Sequence, residues 1–217
     1  NECNQKLLDF ESIRDHCQNN GSSYGMEDWY RRCYILGLLM LVTKTRNVKK
    51  SIGYGNVGSG SLISTGNMDY EGLFSGYRLG ELRGVKAFGI ENLWGNYYNF
   101  CDGITSNSST TLTIEDPPCG TFNSWIDVSN AEYTRQTGLY PIRMIPAADG
   151  AIIIPSQGQS DSSLGWGEYF YITSSYGGKA DVGGGYKNNE GAIGPFVTGI
   201  GNNPTDMSIC TGRLILV

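Results

Sequence analysis

Histidine is nearly missing from this chain: His16 is the only one in 217 residues. It falls on an amphipathic helical stretch far from every glycine-rich block, where a helix-surface histidine is expected. Neither a Ser-His-Asp site nor a histidine-rich metal centre is therefore expected. Cysteine is present but unpatterned. Cys3, Cys17, Cys33, Cys101, Cys119 and Cys210 contain no CxxC pair and no metal-ligand spacing. Mostly reduced, buried thiols are expected, and the even count leaves a bridged pair open. Cys–His chemistry would need His16 to meet Cys101, Cys119 or Cys210 across the fold. Long apolar runs are lacking too. The longest, residues 33–42, is ten residues, too short to span a bilayer, so no membrane insertion is expected.

Glycine is scarce at the start and abundant afterwards. Only Gly21, Gly25 and Gly37 fall in the first fifty residues, out of 31 in the chain. Charge divides at the same place. Residues 1–50 carry eight Lys/Arg and six Asp/Glu, whereas residues 51–217 carry eight and fifteen. A segment net acidic by seven (15 − 8) is poorly suited to a phosphate backbone, and nucleic acid is not an expected partner. The expected organisation is an N-terminal helical segment, residues 1–50, packed on a main domain, residues 51–217.

Leu7, Leu8, Phe10 and Ile13 form a helical stripe over residues 5–17, opposed by Asp9, Glu11, Arg14 and Asp15. A longer helix is expected over residues 27–46, acidic at its start and basic at its end as the macrodipole favours. Its middle, residues 34–42, is apolar all round and reads as a central buried helix. After Lys50 the pattern breaks into short segments between glycines. Strands are expected at 87–90, 97–102, 110–114, 142–145, 151–154, 168–173, 196–200 and 208–217. The long connections between them point to functional loops. The fold class is α+β, helices first and an irregular antiparallel sheet with long loops after.

Residues 84–104 read GVKAFGIENLWGNYYNFCDGI. This block resembles the FGIEN, W, GN and DGI core of phage-encoded structural proteins with a C-type lectin-like fold. It is more distantly similar to the formylglycine-generating enzyme superfamily, which shares that fold. Residues 34–42 (YILGLLMLV) and 51–55 (SIGYG) look like the helix and turn upstream of that core. Residues 152–155 (IIIP), 168–171 (EYFY), 184–196 (GGYKNNEGAIGPF) and 209–214 (ICTGRL) follow in the same order. The chain departs from the pattern at Lys187 and at Tyr97-Tyr98, where relatives often carry tryptophan.

The resemblance implies a C-type lectin-like fold over about residues 30–217 and a final stretch that displays a ligand-binding surface. In members served by diversity-generating retroelements, that stretch is the hypervariable segment. It further implies a non-enzymatic phage tail-fibre or baseplate tip that attaches to a bacterial surface protein or glycan, on a virion. Such fibres are commonly homotrimers. A bacterial cell-surface or pilus adhesin of the same fold is the alternative, and a formylglycine-generating-type oxidoreductase the third reading. Sugar-binding C-type lectins carry EPN or QPD and WND motifs for calcium; none is present, nor is an EF-hand-type loop. No cofactor or metal is expected.

Candidate binding residues are Trp166, Tyr186, Lys187, Asn188, Asn189, Asn202, Asn203 and Asp206. Trp166 lies between Gly165 and Gly167 after a polar stretch, and aromatic residues at exposed turns are favoured contacts. The others sit on glycine- or proline-bounded tips, where ordinary turn chemistry competes with display. Trp94 and Trp125 read as core anchors. Glu91 is a carboxylate suited to fixing loop amides, although a paired-carboxylate site drawn from Glu91, Asp102, Asp127, Asp149 and Glu168 is formally open.

Overall fold

Asp28 starts the main helix. Its backbone is extended, and its Oδ1 accepts the Arg31 amide at 2.8 Å, satisfying one of the orphan donors of a helix N-terminus. Arg31 closes back onto Asp28 Oδ2 as an ion pair. Fixed this way, the chain turns into a helix over Trp29–Thr43 and ends at Lys44 in the left-handed conformation. The computed structural model describes residues 10–56, 63–76, 83–106, 111–115, 123–127, 140–147, 152–161, 163, 165–172, 178–183, 193–201 and 210–216.

In chain order the elements are α1 (Phe10–Gln18), β1 (Tyr24–Met26), α2 (Trp29–Thr43), α3 (Val48–Ile52), β2 (Lys86–Ala87) and β3 (Ile90–Glu91). There follow β4 (Tyr98–Ser106), β5 (Thr111–Glu115), β6 (Asn123–Asp127), β7 (Tyr140–Ala147), β8 (Ile152–Gln159) and β9 (Phe170–Ile172). The last four are β10 (Gly178–Val182), β11 (Thr198–Gly201), β12 (Cys210–Gly212) and β13 (Leu214–Leu216). The fold is α+β, as the glycine boundary and helical stripes imply. Its main sheet runs β6-β5-β4-β10-β11-β9, with β12 also paired to β4. Most pairings are antiparallel, but β9 lies parallel to β11 and β12 parallel to β4. β7 and β8 form a separate hairpin, and β1 pairs with β13.

The N-terminal segment is built into the sheet. Met26 pairs with Leu214, and the Glu27 carbonyl accepts the Asp102 amide at 2.8 Å. The β4–β10 register jumps from Thr105↔Lys179 to Cys101↔Ala180, so residues 102–104 bulge out of the ladder. Arg14 grips the carboxylate of Asp102 with both Nε and Nη2. Phe10 packs edge-on against Phe100 at 5.4 Å.

Two blocks quoted from the sequence meet in the core. Gly55 and Gly95 both have φ +81°, and a Cβ on Gly95 would lie 2.4 Å from the Tyr54 carbonyl oxygen and 2.7 Å from Gly55 Cα. Only glycine at both positions allows this contact. Asn96 spans the same junction: its Oδ1 accepts from Asn56 Nδ2 and the Ile63 amide, and its Nδ2 donates to the Ile63 carbonyl. Trp94 is fully buried beside them, its Nε1 donating to the Gly53 carbonyl at 3.0 Å.

One expectation is corrected here. Residues 34–42 are not a buried helix. Trp29, Arg32, Cys33, Leu36 and Leu39 form the buried stripe. Tyr34, Leu38, Leu41 and Val42 face solvent, Leu41 at 74% exposure. An all-round apolar composition hides which face packs, and here only one does, against α3, β4 and β8.

Candidate functional site

Three buried ionisable side chains hold backbone at residue 167 and at residues 193–196. Lys49, on the short α3, sends Nζ to the Gly167 carbonyl at 2.7 Å and the Ile193 carbonyl at 3.0 Å. Arg32, on the buried stripe of α2, donates Nη2 to the Pro195 carbonyl at 2.8 Å and Nη1 to Glu27 Oε1 at 3.2 Å. Glu168 accepts the Phe196 amide on Oε2 at 2.5 Å. All three are at most 1% exposed. A buried charge left unpaired costs several kcal/mol, so each carbonyl and amide is drawn to its partner. Backbone from residues 167–168 and 193–197 is thereby fastened to two helices.

Glu27 Oε2 also lies 3.7 Å from Arg213 Nε, and Arg213 Nη2 donates to the Asn92 carbonyl at 3.1 Å. The network therefore reaches from α2 to the last two strands. Burial pushes the Glu168 carboxyl up to about 8, against the opposing pull of Lys49 and the Phe196 amide. Its Oε1 has no hydrogen-bond partner among the described residues. A protonated carboxyl fits this setting better than a carboxylate, because desolvation penalises the charge.

Both stems of residues 184–192 belong to this frame. The Gly183 amide donates to the Val197 carbonyl at 3.0 Å, and the Gly183 carbonyl accepts from Gly95 at 3.0 Å. Ile193 is capped by Lys49 as above. Residues 202–209 leave from elsewhere. Gly201 pairs with Lys179, which pairs with Thr105, while Cys210 pairs with Tyr98. The ends of this second segment therefore stand at opposite ends of β4, one at each.

The expected binding residues divide accordingly. Trp166 is corrected: it is 6% exposed, packed edge-on against Phe196 at 6.2 Å, with the Arg46 guanidinium 5.2 Å from its ring. The flanking glycines bring the indole inward, since the Trp166 amide donates to the Pro141 carbonyl at 3.1 Å. Tyr186, Lys187, Asn188, Asn189, Asn202, Asn203 and Asp206 lie outside the described residues. Phe196 and Ile200 are buried. Glu91 fixes loop amides, as its place in the motif implies. Its Oε2 accepts the Gly66 amide at 2.6 Å and its Oε1 the Met68 amide at 3.0 Å.

His16 sits exposed on α1, with Nδ1 2.6 Å from the Ser12 carbonyl. Cys17, Cys33 and Cys101 are buried and form no disulfide. Burial pushes the Cys101 thiol well up, and the Cys17 thiol up as well, away from the thiolate that nucleophilic chemistry needs. Among the described residues no group of three or more His, Cys, Asp or Glu could hold a metal ion. No described helix is long and apolar enough to cross a membrane.

Sequence reasoning missed Arg32, Lys49 and Glu27 because basic and acidic residues at helix ends read as solvated charges. A signal existed for Arg32 alone. It keeps the three- and four-residue spacing of Trp29, Cys33, Leu36 and Leu39. Set against known proteins, the chain finds no matching family model, no matching curated protein and no matching solved structure.

Proposed function

We propose that this chain is a non-enzymatic receptor-binding protein, a C-type lectin-like domain at the tip of a phage tail fibre or baseplate. It engages a protein or glycan on a bacterial surface through residues 184–192 and 202–209. The observation that carries the reading is the clamp that Lys49, Arg32 and Glu168 place on the stem that follows residues 184–192, with the preceding stem, Gly183, held by backbone bonds to Val197 and Gly95. Recognition by a loop loses affinity to every degree of freedom frozen on binding, so anchored stems favour it. The sequence between those stems supplies Tyr186, Lys187, Asn188 and Asn189, side chains suited to polar and aromatic contact.

Lys49, Arg32 and Glu168 each engage backbone carbonyls or an amide, and burial pushes the Cys101 and Cys17 thiols up, away from the thiolate. The test is adsorption of fluorescently labelled protein to a panel of bacterial strains and to an array of surface glycans. Saturable binding to a subset of strains or glycans is expected. Uniform absence of binding across cells and glycans would contradict the reading.

A further inference from the structure

Two exposed apolar patches lie outside the region assigned to recognition, and they complement each other. The first is the outer face of α2. Tyr34, Gly37, Leu38 and Leu41 stand at positions i, i+3, i+4 and i+7, the four corners of a hole that accepts a knob in helix packing. Gly37 leaves its corner empty, since a Cβ there would meet nothing within 4 Å. Tyr34, Leu38, Leu41 and Val42 are 52%, 49%, 74% and 52% exposed. Residues 29–52 contain six Lys/Arg and no Asp or Glu. Lys44, Arg46 and Lys50 are exposed at the C-terminal end of this patch.

The second patch is a braced loop, residues 68–74. Tyr70 is completely exposed, Leu73 is 68% exposed and Phe74 38%. The loop is held from behind. Glu91 accepts the Met68 amide, and Lys86 Nζ donates to the Met68 carbonyl at 2.8 Å and the Glu71 carbonyl at 3.3 Å. Phe74 packs edge-on against Phe88 at 4.9 Å, and Ser75 exchanges both backbone hydrogen bonds with Lys86. Residues 63–76 carry Asp69 and Glu71 and no basic residue. Tyrosine is among the residues enriched as interface anchors.

From these matched features we infer that the loop of one copy of this chain docks on α2 of another. Tyr70 fills the notch at Gly37 between Tyr34, Leu38 and Leu41. Leu73 and Phe74 cover the adjoining apolar face, and Asp69 and Glu71 lie toward Lys44 and Lys50. The charge signs are complementary, and each copy carries one knob and one hole. Such a contact between unlike patches closes into a ring when the rotation allows. The contact does not depend on the receptor reading, because assembly is measured without any receptor.

The test is the mass of the full chain by light scattering and sedimentation over a concentration series. Wild-type protein is expected at two or more times its 23.7 kDa. Leu41→Glu and, separately, Tyr70→Ser shift it toward the monomer, raising the half-dissociation concentration about tenfold or more. Both remain folded, with wild-type circular dichroism and a single cooperative melt, since each changes a side chain exposed in the monomer. Lys44→Glu with Lys50→Glu weakens assembly, as does Asp69→Lys with Glu71→Lys, and all four together restore it. A wild-type monomer at every concentration would overturn the inference. So would a Tyr70→Ser protein that assembles normally, or a fourfold charge reversal that fails to recover assembly.

Discussion

Glu168 and Phe196, 28 residues apart, are joined by a 2.5 Å hydrogen bond from the Phe196 amide to Glu168 Oε2. The carboxyl is completely buried, and Gly194 passes so close that a Cβ there would lie 2.2 Å from Glu168 Cδ. This contact ties β9 to the turn that leads into β11, and so ties the base of residues 184–192 to the sheet.

The buried carboxyl makes stability depend on pH. Its folded value is about 8 and its unfolded value 4.5. Between these the folded state binds more protons than the unfolded state, so stability falls as pH rises. The slope is at most about 1.4 kcal/mol per pH unit. Below the unfolded value the contribution is fully present; above about 8 it is lost. Urea melts across this range should show Glu168→Gln with a flatter profile than wild type. Parallel profiles would mean that Glu168 stays ionised in the folded protein.

Gly194→Ala should destabilise the protein by about 2–4 kcal/mol. Gly194 has φ +134°, and the added Cβ would meet both Glu168 carboxyl oxygens, at 2.3 and 2.5 Å, where a pinned, buried group cannot retreat. The cost should shrink when Glu168→Ala is combined with it, a coupling that a double-mutant cycle measures. Additive costs would place the strain in the backbone alone.

Trp94→Ala should cost about 3–5 kcal/mol, through the cavity left by a fully buried indole and the stranded Gly53 carbonyl. Thermal or urea unfolding reads this directly. A Trp94→Ala protein as stable as wild type would remove Trp94 from the centre of the fold.

What the sequence disclosed followed its periodic signals. α1 and α2 were legible from helical spacing, and β4, β5, β7, β8 and β11 from apolar runs between glycines. β10, sequence GKADV, was not. Lys179 and Asp181 break its apolar pattern, and its pairing with β4 and β11 is a tertiary matter. α3 escaped because five residues rich in lysine give no period, and burial of Lys49 depends on carbonyls 118 and 144 residues away. The exposed face of α2 escaped because leucines ring the helix. Glu91 was readable from its place in the block that carries the resemblance, where a carboxylate is suited to fixing loop amides. Trp166 was misjudged because glycines on either side suit an exposed tip and a buried close approach equally.

On the proposed reading, residues 184–192 are offered to a receptor from stems anchored at Gly183 and Ile193. Adsorption of Tyr186→Ala protein to a strain that wild type binds tests it most directly, with the melting temperature measured alongside. The account predicts affinity weakened by about 2 kcal/mol or more, as for a hot-spot residue. It also predicts stability within about 0.5 kcal/mol of wild type. Unchanged adsorption, or unfolding on substitution of Tyr186, would contradict the claim.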